Sequence, residues 1–433
     1  MTVQSRETEA DTPHLQVSFL GREYSGKSGA KAFTVTSTLT NIYDGWTLDL
    51  PIINDTKFGE FSINADIMSL NLHRWLPIII KHSDPNVGNG KPVPLVMGVC
   101  THAEQLTSDG ASVLRLTGYD LGKLLDSCVR PWVRFRGLNL QGIIDRLIDP
   151  SWRAKGPGQW GIQGARGLNG DPTTKLGQRL NQGIARTRLE FNKPQGVILP
   201  PVQTEVGETF YDLVSRYARL TGITNSSGAF VNVSSDGWIQ VFNPDESAND
   251  SPLYVFEDHA SEQNTRVKRS ALILDGEDLY TSYRCYGSVI FPPQALPQDR
   301  IVDYNAGRFF GQAPGSVLGD AQNRINRLCT FADPEQYQTG FAGTRAQWRE
   351  KQSRYKEKTV RLTVQGHSIP GPDGQWRPIV EGNICELNST RLRLGGDFLG
   401  PGRWLIEQVV KRQDAITGSE TDVVLRLPGL LGA

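Results

Sequence analysis

The sequence predicts a mainly β protein with an α+β insertion: two β-blocks, a mixed region between them, and a C-terminal β-module. Short stretches rich in Val, Ile, Thr and aromatic residues alternate apolar with polar along most of the chain, the period-two signature of half-buried strands. The 433 residues include 45 Gly and 25 Pro with a hydrophobic share of only 38%, a turn-rich composition that suits strands and extended connections better than helical bundles. A chain of this length exceeds what one core supports, so several domains are expected.

Residues 1–13 are polar and acidic and read as a flexible N-terminus with no secretory h-region. From His14 strand follows strand: Leu15 to Leu20, Phe33 to Leu39, Trp46 to Leu50, Phe61 to Ile63, Leu76 to Ile80 and Leu95 to Cys100. Ser108-Asp-Gly110 is a hairpin signal. It leads into Val113 to Leu116, where alternation breaks at Gly118 and restarts at Leu121, Leu124 and Leu125 with helical spacing. Residues 14–118 therefore form the first β-barrel or sandwich, and the Gly118-Tyr-Asp120 corner hands the chain to an insertion over 119–250. Within it, Leu138 to Ile148 has helical spacing, and 150–196 holds nine glycines and too few large apolar residues for a core. Glu205 to Gly222 reads as a helix with Phe210, Leu213, Val214 and Tyr217 on one face and acids in its first turn. A hairpin, Ala229 to Val233 with Trp238 to Phe242, packs on it. Residues 251–366 form the second β-block, with strands at Val267 to Leu274, Tyr280 to Tyr286 and Val360 to Val364 and a polar helix over Ala342 to Lys358. Residues 367–433 form the C-terminal β-module, with strands at Asn383 to Leu387, Arg403 to Val410 and Thr421 to Leu427.

Lys+Arg and Asp+Glu are equal at 46 each, so no global field draws the chain to nucleic acid or membrane. The longest apolar run, Leu76 to Ile80, is far short of a bilayer span. The five cysteines are scattered, without C-x-x-C spacing, and read as buried thiols from a reducing compartment. The six histidines show no H-x-x-x-H or H-E-x-x-H spacing, so neither a metal nor any other cofactor is expected.

Gly21-Arg-Glu-Tyr-Ser-Gly-Lys-Ser28 matches the phosphate-cradling G-x-x-x-x-G-K-[ST] pattern, and Leu272-Ile-Leu-Asp275 resembles its acidic partner strand. A phosphate loop needs a helix directly behind it to aim amides at the anion. Here Ala32 to Thr38 is strand-like instead, so the match reads as a glycine hairpin, and a P-loop NTPase stays an alternative. Val206-Gly-Glu-Thr-Phe-Tyr211 resembles the opening of a LysM peptidoglycan-binding repeat without its second helix, so a cell-wall-binding tail protein is another. Charge is unevenly spread. Between Arg130 and Arg188 eleven basic residues face three acids, and 245–278 holds nine acids and three bases. Arg130, Arg134, Arg136, Arg153, Lys155, Arg166, Arg179, Arg186 and Arg188 are thus candidate partner-interface residues, suited to an acidic protein surface or another copy's acidic segment. No catalytic residues are assigned.

Taken in order, several pieces resemble the baseplate hub proteins of contractile-tailed phages, the Mu-like (gpP, late-control) type and relatives with the T4 hub fold. They are Phe33 to Leu50, Met97 to Thr101, Leu116 to Ser127, Val206 to Leu213, Asp236 to Pro244, Asp278 to Gly287, Thr344 to Arg349 and Gly366 to Leu427. The match spans most of 14–427 apart from 150–196. Where relatives have Gly-Arg-Asp at the corner, this chain has Gly118-Tyr-Asp120. The resemblance implies a non-enzymatic homotrimer with two tail-tube-like β-barrels per subunit. It would adapt the six-fold tube to the three-fold central spike and touch tail tube, tape-measure and baseplate wedge proteins. DNA would be only passing cargo. It also implies assembly in the host cytoplasm and residence in the virion tail baseplate.

Overall fold

A computed structural model describes residues 14–19, 22–24, 32–51, 76–84, 87, 90, 92–108, 111–126, 134–139, 142–143, 202–215, 230–233, 239–242, 251–259, 266–280, 282–287, 302–308, 328–333, 339–396, 401–414 and 418–430. The protein is mainly β, as its alternating stretches require. The first block holds β1 (His14–Phe19), β2 (Arg22–Tyr24), β3 (Ala32–Thr38), β4 (Gly45–Pro51), β5 (Leu76–Ser83), β6 (Val93–Ser108) and β7 (Ala111–Asp120). All its neighbours pair antiparallel in the order β3-β4-β7-β6-β5-β1-β2. The inward positions of these strands, among them Val17, Phe33, Val35, Trp46, Leu48, Ile78, Ile80 and Leu116, form one core. Each such side chain contributes about 1.5–3 kcal/mol by leaving water.

The strand expected to pass into a helical stretch at the Gly118-Tyr-Asp120 corner does so, ending two residues beyond Gly118. β7 runs on to Asp120 and turns directly into a 3₁₀ helix, Leu121–Asp126, with Leu121 and Leu125 buried. Gly118 is needed for packing. A Cβ there would collide with the Val99 carbonyl oxygen and lie 2.5 Å from the Trp46 ring, which sits opposite in the β4–β7 register. The indole meanwhile donates to the Tyr119 carbonyl at 3.1 Å.

In the insertion, β8 (Arg134–Phe135) pairs β9 (Val202–Gln203), and β10 (Phe230–Val233) pairs β11 (Ile239–Phe242) as the predicted hairpin. Residues 210–215 are helical. Thr209 caps this helix: its Oγ1 accepts from the Asp212 amide at 3.0 Å, and its own amide donates to Asp212 Oδ2 at 3.2 Å.

The C-terminal half contains β12 (Tyr254–Asp258), β13 (Val267–Leu274), β14 (Ser282–Gly287), β15 (Val302–Arg308), β16 (Leu328–Asp333), helix α1 (Thr339–Glu357), β17 (Lys358–Gln365), β18 (Ser368–Pro370), β19 (Trp376–Pro378), β20 (Ile384–Ser389), β21 (Arg403–Asp414) and β22 (Gly418–Arg426). β13, β17, β22 and β21 run antiparallel, and β20 joins β21 to β12. Their core mixes residues from both sides of the expected division at 366/367: Tyr254, Phe256, Val360 and Leu362 pack with Ile369, Leu387, Trp404 and Leu425. The strands expected as a separate module from 367 are thus woven into the sheet that begins at 254. A smaller sheet, β15-β14-β16, lies apart, with Tyr283, Cys285 and Ala346 of α1 sharing a core.

One sheet links the halves, because β21 pairs antiparallel with β3 from Gln408↔Thr38 to Gln413↔Phe33. That seam is the place where the two large cores meet.

Candidate functional site

The phosphate-loop candidate does not assemble. Arg22, Glu23 and Tyr24, inside the motif, form β2 paired with β1, and the next described element is the strand β3. Leu272 to Leu274 lie on β13, at the opposite end of the sheet path from β2. The Asp275 amide donates to the Glu357 carbonyl at 2.8 Å, and Asp275 Oδ1 accepts from the Glu277 amide. Among the described residues nothing brings the motif and its partner strand together, and from Ala32 the chain is strand, where phosphate binding needs a helix.

Of the basic interface candidates, Arg134 and Arg136 are exposed around β8, and Arg134 Nε donates to Gln203 Oε1 at 2.8 Å. Arg130, Arg153, Lys155, Arg166, Arg179, Arg186 and Arg188 lie outside the described residues. The acidic stretch is not one surface patch. Asp258 is fully buried and accepts from Ser389 Oγ at 2.6 Å, with Arg391 Nε 3.3 Å away. It ties β12 to the turn after β20. Asp275, Glu277 and Asp278 are exposed. In the LysM-like stretch Phe210, Leu213 and Val214 are fully buried, so its apolar face is used in packing. Cys100, Cys285 and Cys385 are buried thiols as expected, and burial pushes the Cys100 thiol up to about 11, which makes it a poor nucleophile. Among the described residues no cluster of His, Cys, Asp and Glu fits a metal ion, and no helix is long and apolar enough to cross a membrane.

The concentrated chemistry lies at the β21–β3 seam. Asp44 precedes β4, Asp120 ends β7, Glu381 lies before β20, and Lys411 sits on β21 opposite Val35. Asp44 Oδ1 accepts from the Thr38 amide at 2.9 Å, the Asp44 carbonyl accepts from the Asp120 amide at 2.9 Å, and Asp120 Oδ1 accepts from the Gly122 amide at 2.9 Å. Burial, reinforced by Glu381, pushes the Asp44 carboxyl up to about 8. Burial and the neighbouring Asp44 hold Asp120 well above the usual carboxylate range. Glu381 and Lys411 retain some accessible surface, yet loss of water is the largest influence on each, raising the carboxyl and lowering the ammonium. Among the groups that keep Lys411 charged, Glu381 comes before Asp44. Lys411 thus lies within electrostatic reach of Glu381 and Asp44, each of which favours its charge, while the Asp44 and Asp120 carboxyls are pushed toward their protonated forms. Beside it lies a second polar group: the imidazoles of His82 and His367 meet edge to face at 5.0 Å, with Phe33 5.5 Å from His367. Sequence reasoning found none of these six polar residues, which share no local spacing.

No family model matches the sequence, and no curated protein sequence matches it. Solved structures do match. A tail protein from Neisseria meningitidis superposes with a TM-score of 0.65 at 14% identity, covering 97% of this chain and 98% of that one. The 43 kDa tail protein of prophage MuSo2 from Shewanella oneidensis gives 0.63 at 14% identity, covering 96% and 98%. The lidded Francisella PdpA–VgrG complex gives 0.50 at 12% identity, covering 96% of this chain and 52% of the matched one. The chain therefore has the fold of phage tail proteins over essentially its whole length.

Proposed function

We propose that this chain is a structural component of a phage tail, and specifically a baseplate hub protein. Three copies would form a ring that adapts the six-fold tail tube to the three-fold central spike around the tail channel. The observation that carries this reading is the end-to-end fold match to two tail proteins, 97% and 96% of this chain against 98% of each. A shared active site would not require every strand to superpose, whereas a shared place in an assembly does. Two β-blocks joined through one seam also suit a subunit that offers two tube-like units to a ring. In this proposal the first unit is 14–118 and the second begins at 251, taking in the strands from 367 onward that share its core. The insertion over 119–250, with its basic arm, faces partners: the spike, tube, tape-measure and wedge proteins, or another copy. The PdpA–VgrG match, in which this chain spans about half of the matched one, fits a hub that meets a spike.

The test is the assembly state. Size-exclusion with light scattering on the full chain, alone and with the spike protein encoded beside it, is expected to give a trimer in at least one condition. Electron microscopy of that species is expected to show a ring with six similar β units. A monomer in both conditions would sink the proposal.

A further inference from the structure

His82, on β5 of the first block, is only 5% exposed, and His367, in the turn between β17 and β18, is 3% exposed. They come from different β-blocks, and their rings pack against each other. The protonation state of His367 follows from its bonds. Thr421 Oγ1 lies 2.6 Å from the Gly366 carbonyl oxygen, to which only the hydroxyl can donate. That hydroxyl must then accept from His367 Nδ1 at 2.9 Å. The proton of the neutral ring is therefore on Nδ1, and Nε2 carries a buried lone pair without a hydrogen-bond partner. Nε2 of His82 is likewise buried and unpartnered. A proton arriving at either nitrogen would create a charged donor with no acceptor, 5.0 Å between centroids from a second ring facing the same problem.

The charges around the pair come from every packed element. Lys411 on β21 disfavours charge on both rings. Asp84, directly after β5, favours it at His82 but is already hydrogen-bonded by Ser368 Oγ of β18. Arg266, ahead of β13, feels Asp84 and stacks on Trp376 at 3.9 Å. β3 supplies only Phe33 and β22 only the Thr421 hydroxyl. Of the charges that act on the rings, Lys411 opposes protonation of both and His82 opposes that of His367, while Asp84 favours it at His82 alone.

We propose that the seam between the two β-blocks is an acid-released latch whose trigger is the His82–His367 pair. Closed, the pair is neutral and packed; open, both imidazoles reach water and take up protons. Burial holds His82 at about 4 and His367 well below its ordinary value, against about 6.5 for a solvated imidazole. Between those limits the open form binds up to two more protons than the closed form, so opening is favoured by up to about 100-fold per pH unit of acidification. This goes beyond the hub reading and is tested on the chain itself.

The experiment is hydrogen exchange of the full chain between pH 7 and 4, corrected for intrinsic rates, with the β6–β7 hairpin as internal reference. Protection of β3 and β21 is expected to fall relative to the hairpin as pH drops below about 6.5. The double variant His82→Phe, His367→Asn, which keeps an aromatic ring and a donor to Thr421, is expected to hold that protection. A wild-type seam that keeps step with the hairpin, or a variant that loses protection over the same window, overturns the proposal. A second measurement needs no variant: with imidazole-labelled protein, the two rings are expected to titrate together, at the pH where the seam loses protection. Independent titration of both with the seam still protected overturns it equally.

Discussion

Replacing Lys411 by Met tests the charge balance at the seam. In the wild type burial raises the Glu381 carboxyl and lowers the Lys411 ammonium, and the ammonium opposes the rise at Glu381. Methionine fills much of the same volume without charge, so the variant must protonate Glu381 on folding or leave a carboxylate buried and alone. Protonation is the cheaper outcome. From the ordinary glutamate value of 4.5 to pH 7 it costs about 3 kcal/mol, at about 1.4 kcal/mol per unit. At pH 5 the same step costs less than about 1 kcal/mol. The destabilisation is therefore expected to be large at pH 7 and to shrink by on the order of 2–3 kcal/mol at pH 5. Urea unfolding of the wild type and the variant at both pH values reads this directly. Lys268→Met serves as control, since that lysine is exposed and pairs Glu420 at 2.9 Å on the surface; it should cost no more than about 1 kcal/mol at either pH. A Lys411→Met penalty of equal size at pH 5 and 7 would show that the lysine acts through packing, and the electrostatic account would be wrong.

Three further outcomes are expected. Gly118→Ala should lower stability by about 3 kcal/mol or more, because its Cβ meets backbone and the Trp46 ring in a central strand, whereas Gly45→Ala, with open space at its Cβ, should shift the thermal midpoint little. Asp44→Asn keeps an acceptor for the Thr38 amide and removes a carboxyl that burial holds at about 8. A group with its folded value raised loses stability as pH climbs, so relative to wild type the variant should be about 2–3 kcal/mol more stable at pH 7 than at pH 5 by denaturant midpoints. Thr209→Ala removes the cap at the 210–215 helix and should cost about 1 kcal/mol, seen as faster amide exchange confined to that segment.

The strands were legible because their residues alternate locally. β3, β4 and β17 stand where β-branched and aromatic residues recur at every second position, and the polar helix and the 108–111 hairpin likewise follow from neighbouring residues. The strand-to-helix corner was legible too, but Gly118 set the strand's end two residues early for a physical reason: glycine normally ends a strand pattern, but here it clears room for an indole from the facing strand. The P-loop string misled in the opposite way, since a run of eight letters carries no information about the element behind it. What no window could show is the join of β3 to β21, whose partners lie hundreds of positions apart, such as Thr38 and Gln408. The seam residues inherit that blindness. His82 and His367, or Asp44 and Lys411, become neighbours only after two β-blocks have formed and paired.

The same seam sets limits on both sides of neutrality, and the limits have opposite signs. His82 is held at about 4, below its ordinary value, so the stability tied to its neutrality is lost as pH falls from about 6.5 toward 4. Asp44 is held at about 8, above its ordinary value, so the stability tied to its proton is lost as pH rises toward 8. Neither group would matter at an exposed surface, where water serves both protonation states. They matter because β21 and β3 close over them. A junction made only of leucine and valine would hold equally well at every pH. This one holds best over a bounded range, and only where the two β-blocks share a sheet.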